Sequence, residues 1–234
     1  MNTNKINIFI GYDSKEDIAY RICKHSLKKR STLDMQINSL KLYELVSKKF
    51  YYRNIDPLAS TEFTYSRFLV PHLMQYQGWA LFCDCDFLFL EDIGKIFNDI
   101  DESKAVYCVK HDYTPVERHK MDGQTQTIYP RKNWSSLILF NCSHPANKKL
   151  TLEEVNTQPG SFLHQFKWLL DEEIGSLDER WNWLEGWTSN HNKLKPFAIH
   201  YTRGGPWFNE WQDVEFSKEW NKEKDEYLSK KFKH

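Results

Sequence analysis

The sequence predicts an α/β domain in which a mixed, mostly parallel central sheet is flanked by helices. Two short apolar strands are each followed by a helical pattern, and a third, almost continuous apolar strand ends in acidic residues. Alternating strands and helices are typical of parallel sheets with both faces covered. The chain of 234 residues has the length of one such domain.

The first strand and helix form the clearest unit. Residues 6–10 make a short, mostly apolar strand that Gly11 closes. A second unit follows, with a strand predicted at 35–42 and a helix at 43–50. In the first helix, apolar and small residues recur with the spacing of one buried face: Ala19, Ile22, Cys23, Ser26 and Leu27.

The strongest buried-strand signal lies later in the chain. Residues 61–77 predict a helix that Pro71 kinks or breaks, and residues 79–84 then form an apolar run that ends in acid. Ligands of open α/β sheets bind outside the carboxyl ends of strands, so this place suits chemistry. The other predicted elements are strands at 105–110, 136–141 and 197–201 and a helix near 162–173.

The composition excludes several classes of protein. Lys and Arg total 32, as do Asp and Glu, so no net charge favours nucleic acid or an anionic membrane. The amino terminus lacks the order of a signal peptide, and the longest apolar stretch is too short to span a bilayer. These features predict a cytoplasmic location. The five cysteines lack zinc-ligand spacing, which indicates reduced, buried residues.

Asp84 and Asp86 are the first candidates for chemistry. Strand side chains alternate with a period of two, so both carboxylates point to the same side at the strand end. Two carboxylates without thiolates suit a hard cation, Mg²⁺ or Mn²⁺, which typically also binds substrate phosphate oxygens. A capped loop without any metal is the structural alternative.

A second cluster, residues 199–207, lies far along the chain. There His200 leaves a predicted strand and enters a turn that contains Gly204 and Gly205. A neutral imidazole can complete a metal shell, and paired glycines let backbone N–H groups approach an anion closely. Arg203 could add a bidentate contact to phosphate.

Four segments together resemble a known family. Over residues 5–210, the chain is similar to the GT-A type of nucleotide-sugar glycosyltransferase, and most similar to the retaining family of glycogenin and bacterial galactosyltransferases. In chain order the segments are 9–13 (Phe-Ile-Gly-Tyr-Asp), 65–68 (Tyr-Ser-Arg-Phe), 84–86 (Asp-Cys-Asp), and His200 with the glycines after it.

The resemblance implies transfer of a sugar from a nucleoside-diphosphate sugar, with a UDP-sugar favoured, to a hydroxyl acceptor with retention. Asp84, Asp86 and His200 would bind Mn²⁺ or Mg²⁺. The other implied contacts are to the donor, namely Tyr12 and Asp13 at the base and ribose, Asp84 also at the ribose, Arg67 at the phosphate or sugar, Ser135 and Ser136 beside the sugar, and Gln165 near the anomeric carbon.

The chain departs from the family pattern at two places. His164 and Phe166 flank Gln165, where the family has aspartates, so no carboxylate nucleophile stands there. Gly205 occupies the place of the usual Lys before Pro-Trp, and Arg203 is the predicted substitute that neutralises the leaving diphosphate. Glu185 is a candidate carboxylate near the acceptor, although a solvated loop glutamate is the simpler interpretation.

Uneven tryptophan use suggests a division of the domain. Of nine tryptophans only Trp79 precedes residue 130. Flat aromatic faces suit sugar rings, although most of these indoles are expected to fill the core. We therefore expect one domain over residues 1–234, with a nucleotide-sugar-binding half at about 1–104, an acceptor-binding and closing half at about 105–212, and a helical tail at about 213–234.

Two other functions stay open at this point. A phosphatase of the haloacid dehalogenase type also carries Asp-x-Asp after an apolar strand, but that motif normally ends the first strand of its core. A sugar-binding protein without catalysis would explain the tryptophans but not the paired aspartates. The tail has apolar residues near helical spacing beside lysines, so it could touch a membrane or partner, whereas its interspersed acids favour a helix packed on the domain.

Overall fold

In the computed structural model of the protein, the described residues are 5–54, 56–57, 59–111, 131, 133–188 and 194–231. Within them, the strands form a six-stranded sheet and a separate three-stranded sheet. The strands are β1 Ile6–Gly11, β2 Met35–Leu40, β3 Trp79–Cys83, β4 Phe87–Phe89, β5 Val106–Cys108, β6 Leu137–Asn141, β7 Ile174–Ser176, β8 Trp183–Leu184 and β9 Ala198–His200. The α-helices are α1 Asp17–Arg30, α2 Leu42–Ser47, α3 Val70–Leu73, α4 Leu152–Thr157, α5 Gly160–His164 and α6 Ser217–Lys231.

The larger sheet has the order β2-β1-β3-β6-β5-β7. Among the described pairings, β1 runs parallel to both β2 and β3, and β5 runs parallel to β7. Strand β6 is antiparallel to both of its neighbours, β3 and β5. The predicted mixed, mostly parallel sheet is therefore confirmed. Because β6 from the later half of the chain lies beside β3 from the early half, the two halves share one sheet.

The core lies on both faces of the central strands. Every residue of β6 is buried, as is β3 after its first residue. Continuous apolar runs of this kind are expected for strands covered on both faces. Helix α1 buries the helix face that its spacing predicted. The five cysteines are all free and buried, as expected.

The helix predicted over residues 61–77 is wrong in extent. The structure has a 3-10 helix at Ser66–Leu69 followed by the short α3. Pro71 lies in the first turn of α3, where its missing N–H costs no hydrogen bond. Gln75 and Tyr76 then take φ values of 53° and 55°, which end the helix because the right-handed helix needs negative φ.

The helix predicted near 162–173 is also shorter in the structure. Helix α5 ends at His164, and Phe166 takes a φ of 53° while its ring is fully buried. The positive φ of Phe166 interrupts the helix, and helical periodicity in the sequence does not reveal it. The sequence also missed three short strands, β4, β7 and β8, each of two or three residues.

The tail forms the predicted helix, α6, and packs on α1. Trp220 is 2% exposed and lies in a cluster with Ile22 and Tyr201. The apolar side chains of Phe216 and Tyr227 pack against the same cluster. The tail thus directs these apolar residues toward the domain. Among the described residues, no helix combines the length and apolar character needed to cross a membrane.

A buried carboxylate joins the two helices. Glu223 on α6 is 2% exposed and accepts hydrogen bonds from His25 Nδ1 at 2.9 Å, Lys29 Nζ at 3.4 Å and Arg30 Nη2 at 2.8 Å. Burial alone would raise the pKa of Glu223, but the hydrogen bond and charge of Arg30, with Lys29 and His25, outweigh it and lower the pKa. The ionised carboxylate therefore stabilises the docked tail.

We expect Glu223→Gln to lower the free energy of unfolding by about 1.5 to 3 kcal/mol at neutral pH, because it removes a charged acceptor from three donors. A lowered folded pKa means that this stabilisation is present above the unfolded pKa and is lost as pH falls below about 4. Denaturant unfolding of wild type and variant should therefore converge at acid pH.

Glu226→Gln is the matched control, since Glu226 also pairs with Lys29 but is half-buried at the surface. Its expected cost is smaller than that of Glu223→Gln, because ion pairs at the surface contribute little to stability. A gap between wild type and Glu223→Gln that stayed constant from neutral to acid pH would contradict the assigned role of the charge.

Candidate functional site

The paired aspartates lie in the turn that joins β3 to β4. The Asp84 N–H donates to the Ser136 carbonyl at 2.9 Å, which holds the start of the turn against β6. The Tyr201 N–H donates to the Asp86 carbonyl at 3.1 Å, which holds its end against β9. Backbone hydrogen bonds therefore hold both ends of the turn in place.

Strand pairing brings His200 to these aspartates. Strand β9 runs antiparallel to β4, with His200 opposite Phe87. The imidazole stacks on the Phe87 ring with centroids 4.4 Å apart and planes at 16°. One ligand atom each from Asp84, Asp86 and His200 lies within 4.8 Å of the others. The three residues that the sequence singled out as metal ligands are therefore neighbours.

The side chains of this cluster fit a divalent cation. Asp86 Oδ1 lies 3.3 Å from His200 Nε2 and is buried, yet it accepts no hydrogen bond from the described residues. An unsatisfied buried carboxylate oxygen is costly, and a cation would satisfy it. Two carboxylates and one imidazole suit Mn²⁺, and the carboxylates suit Mg²⁺.

Arg67 lies beside the cluster rather than in open space. It is 5% exposed, and its Nη1 donates to Asp84 Oδ1 at 2.8 Å and to the Ser135 carbonyl at 2.8 Å. Its Nε donates to the Thr64 carbonyl at 3.1 Å. The guanidinium thus balances one of the two adjacent carboxylates and joins it to the 3-10 helix Trp134–Ser136, directly before β6.

The residues predicted to border the donor sugar are linked to Arg67 through Ser135. Its hydroxyl and His164 Nδ1 are hydrogen-bonded at 2.8 Å, so the end of α5 is joined to the segment that Arg67 holds. Gln165 comes next, and its carbonyl accepts a hydrogen bond from Arg131 Nη1 at 2.7 Å. The structure therefore connects Ser135, His164 and Gln165 to the aspartate turn.

Asp13 and Tyr12 lie at the carboxyl end of β1. Asp13 is buried and accepts hydrogen bonds from the backbone N–H of Lys15 at 2.9 Å and of Glu62 at 3.1 Å. The Tyr12 hydroxyl donates to Asp17 at 3.1 Å. Asp13 also lines a cavity of about 400 Å³ between the ends of β1 and β2 and the segment that carries Tyr51, Arg53 and Tyr65.

Arg203 and Glu185 form an ion pair close to His200, whose carbonyl accepts the Glu185 N–H at 3.0 Å. Arg203 Nη2 lies 3.2 Å from Glu185 Oε1 and 3.1 Å from Oε2. Glu185 is 1% exposed and also accepts the Glu215 N–H at 3.2 Å. Gly186 is required here, since its φ is 70° and a Cβ would lie 1.9 Å from Arg203 Nη2. The carboxylate and the guanidinium that the sequence assigned to separate tasks are thus partners.

The two glycines after His200 shape a turn. The Gly204 N–H donates to the Tyr201 carbonyl at 2.8 Å. A Cβ on Gly205 would lie 2.1 Å from the Trp207 ring, so the indole covers this position closely. These contacts explain why glycine stands there. The predicted contact of Gly204 and Gly205 with an anion stays a prediction.

Two residues near the site escaped the sequence analysis. Asn182 is fully buried, and its Oδ1 lies 2.9 Å from His200 Nδ1. His111 follows β5, and its Nε2 is buried without a hydrogen-bond partner among the described residues. Burial first, and the nearby His200 second, lower the pKa of His111 to about 3. No motif marks either residue, although His111 does follow a predicted strand.

The fold matches solved glycosyltransferases of the GT-A type. The chain superimposes on the bifunctional glycosyltransferase WbbM with a TM-score of 0.67 at 14% identity, over 96% of this chain and 50% of that structure, so it spans half the length of WbbM. It superimposes on the galactosyltransferase LgtC with a TM-score of 0.60 at 12% identity, over 94% and 96% of the two chains. This protein therefore has the GT-A glycosyltransferase fold, with an Asp-Asp-His group beyond the carboxyl end of the central strand β3.

A sequence relative shows the family. The chain is 54% identical over 227 residues to Protein CDI of Arabidopsis thaliana, covering 94% of this chain and 86% of the plant protein. The chain belongs to the family of that plant protein. No family model matches the chain.

The Arg67–Asp84 pair can be tested by its coupling energy. We expect Arg67→Met to lower the free energy of unfolding by about 3 kcal/mol, because it removes the guanidinium from a mostly buried carboxylate. Asp84→Asn removes that charge, so the double variant should recover at least about 1 kcal/mol relative to additivity. Denaturant unfolding of the two single variants and the double variant measures the coupling.

Strict additivity of the two substitutions would show that the pair is not coupled. Arg21→Met with Asp17→Asn is the control cycle, because that pair is exposed on α1. Its coupling should be below about 1 kcal/mol.

Proposed function

We propose that the protein is a metal-dependent glycosyltransferase that moves a hexosyl group from a nucleoside-diphosphate sugar, with a UDP-sugar favoured, to a hydroxyl acceptor with retention. The observation that carries the proposal is the Asp84–Asp86–His200 cluster at the carboxyl edge of a GT-A sheet. In this fold class the class of ligand is set by side chains at such an edge.

Three parts of the site would bind three parts of the donor. The cavity beside Asp13 would receive the base and ribose, with Tyr12 at its edge. The cluster would hold the diphosphate through Mn²⁺, or Mg²⁺, and the segment from Ser135 to Gln165 would border the sugar. A bound divalent cation supplies charge neutralisation for the diphosphate as it departs.

The protein side chains have separate tasks in this proposal. Arg67 holds Asp84 in place through its 2.8 Å contact, and can share its charge with a donor phosphate. Gln165 is assigned to the face of the sugar where attack occurs, because its neighbours His164 and Phe166 carry no carboxylate. Retention then follows from departure and attack on the same face rather than from a covalent enzyme intermediate.

Arg203 and Glu185 are assigned to the leaving-group side. Arg203 is a cation near His200 that is anchored by a buried carboxylate, so it is positioned to face a developing negative charge. Because Glu185 already accepts two sets of hydrogen bonds, its contribution is to hold Arg203 and the closing segment. A direct contact of Glu185 with the acceptor stays a prediction.

The alternatives from the sequence are less well supported. A phosphatase of the haloacid dehalogenase type has a different fold from the solved structures that this chain matches. A sugar-binding protein without catalysis needs no cluster of two carboxylates and an imidazole. The acceptor, the predicted division of the domain at about residues 104 and 212, and the cytoplasmic location stay predictions.

A screen of nucleotide sugars tests the reaction class. Purified protein with Mn²⁺ is expected to release nucleoside diphosphate slowly from one donor, since transferases without acceptor often transfer to water. Nuclear magnetic resonance of the released sugar reports the stereochemistry. Phosphate release from simple phosphomonoesters, with no turnover of any nucleotide sugar, would instead support the phosphatase.

The metal requirement is a separate prediction. Calorimetry should show that nucleoside diphosphate binds in Mn²⁺ and not in excess chelator. His200→Ala should weaken the Mn²⁺-dependent binding more than about tenfold, since loss of a ligand costs at least as much as loss of its outer partner. The control is His144→Ala, which removes a helix cap distant from the cluster in the chain. Equal binding by wild type and His200→Ala would remove His200 from the metal site.

A further inference from the structure

Asn182 has a contact that the proposed chemistry does not by itself require. It is 0% exposed and lies directly before β8, in the 3-10 helix Glu179–Asn182. Its side-chain Oδ1 is 2.9 Å from His200 Nδ1, on the side of the imidazole opposite to Asp86. A buried amide beside a buried imidazole can set which ring nitrogen carries the proton.

The orientation of the amide follows from a backbone carbonyl. Asn182 Nδ2 lies 3.3 Å from the Asn133 carbonyl and 2.8 Å from Ser136 Oγ. A carbonyl only accepts hydrogen bonds, so the atom that faces it must be the NH₂ group. The Ser136 hydroxyl also donates to the same carbonyl, at 2.7 Å. Reversing the amide would set two carbonyl oxygens against each other.

The position of that carbonyl is itself fixed by the backbone. Asn133 takes a φ of 63° and ψ of 0°, a left-handed conformation that asparagine adopts more readily than most residues. The following 3-10 helix, Trp134–Ser136, leads directly into β6. The Asn133 carbonyl therefore lies directly before the helix that leads into β6, and it is the acceptor that orients the amide.

The amide orientation decides the state of the imidazole. Because Asn182 Oδ1 accepts a hydrogen bond and cannot donate one, His200 Nδ1 must carry the proton. In the Nδ1–H tautomer the ring presents the Nε2 lone pair to Asp86 Oδ1, 3.3 Å away. Two acceptors that face each other at this distance repel, unless a cation lies between or beside them.

We propose that Asn182 is a positioning residue that locks His200 in the Nδ1–H tautomer and so keeps Nε2 available as a metal ligand. This inference rests on the proposed metal site but concerns a different residue and a property of the metal-free protein. Asn182 acts on the proposed metal site through its contact with His200.

The first test reads the tautomer in the metal-free protein. Nitrogen-labelled histidine and long-range nitrogen–proton NMR should show His200 with a protonated Nδ1 in wild type. In Asn182→Ala the Nε2–H form should appear. An Nε2–H tautomer in wild type would overturn the proposal, whether or not any variant folds.

The second test measures Mn²⁺ affinity by electron paramagnetic resonance with nucleoside diphosphate present. Asn182→Ala should weaken Mn²⁺ binding by about 10- to 100-fold, the usual loss when the partner of a metal-bound histidine is removed. Unchanged Mn²⁺ affinity in Asn182→Ala, with the fold intact, would count against positioning.

Asn147→Ala is the matched control. Asn147 is also 0% exposed, and its NH₂ group donates to the carbonyls of Ala105 and Asn141 at 2.7 and 2.8 Å. Its loss should lower stability while leaving the His200 tautomer and Mn²⁺ affinity unchanged. A change in the tautomer in Asn147→Ala as large as in Asn182→Ala would overturn the proposal.

The tautomer also distinguishes failure of the proposed metal site from failure of the positioning role of Asn182. If wild type bound no Mn²⁺ but showed the Nδ1–H form that Asn182→Ala loses, the metal site would fail while the positioning role would stand. If wild type bound Mn²⁺ and Asn182→Ala kept both the tautomer and the affinity, the reverse would hold.

Discussion

The antiparallel pairing of β4 with β9 is the interaction on which the candidate site depends. Strand β4 has only three residues and begins directly after Asp86, and β9 has three and ends at His200. Their register sets His200 opposite Phe87, so the imidazole is carried next to the aspartates by backbone hydrogen bonds. A shift of one residue would turn His200 to the other face. The Tyr201 N–H on the Asp86 carbonyl and the stack of His200 on Phe87 both hold that register.

The electrostatics of the cluster are arranged around this pairing. Two carboxylates close together at a sheet edge repel each other, and each loses hydration when its neighbours are apolar strands. Arg67 compensates Asp84 from one side, whereas Asp86 Oδ1 has no hydrogen-bond partner among the residues that the structure describes. The protein therefore neutralises one acid with its own residue and leaves the other in a place that suits an external cation.

The second ion pair has a different relation to the site. Arg203 and Glu185 come from the two segments that flank β8 and β9, and their contact joins those segments. Strand β8 lies parallel to β9. The Arg203–Glu185 pair, Gly186 and the Gly205–Trp207 contact all lie in the segments that follow these two strands. A cation anchored in this way can keep its position while a charged ligand enters or leaves.

The sequence by itself determined the α/β class, the first strand and helix, the acidic end of β3 and the two aspartates that share a side. These features depend on local periodicity, and local periodicity is written in the chain. It also named His200, first through its place between a predicted strand and a glycine turn and then through a resemblance. The lengths of two helices were decided elsewhere, because Phe166 and Tyr76 adopt left-handed backbone conformations only in their tertiary surroundings. The partners of Arg203 and the contact of Asn182 with His200 were likewise invisible, since each joins residues from separate segments by a few hydrogen bonds. A hydrogen bond between distant residues leaves no periodic pattern, so only the packed sheet could show which amide faces the imidazole.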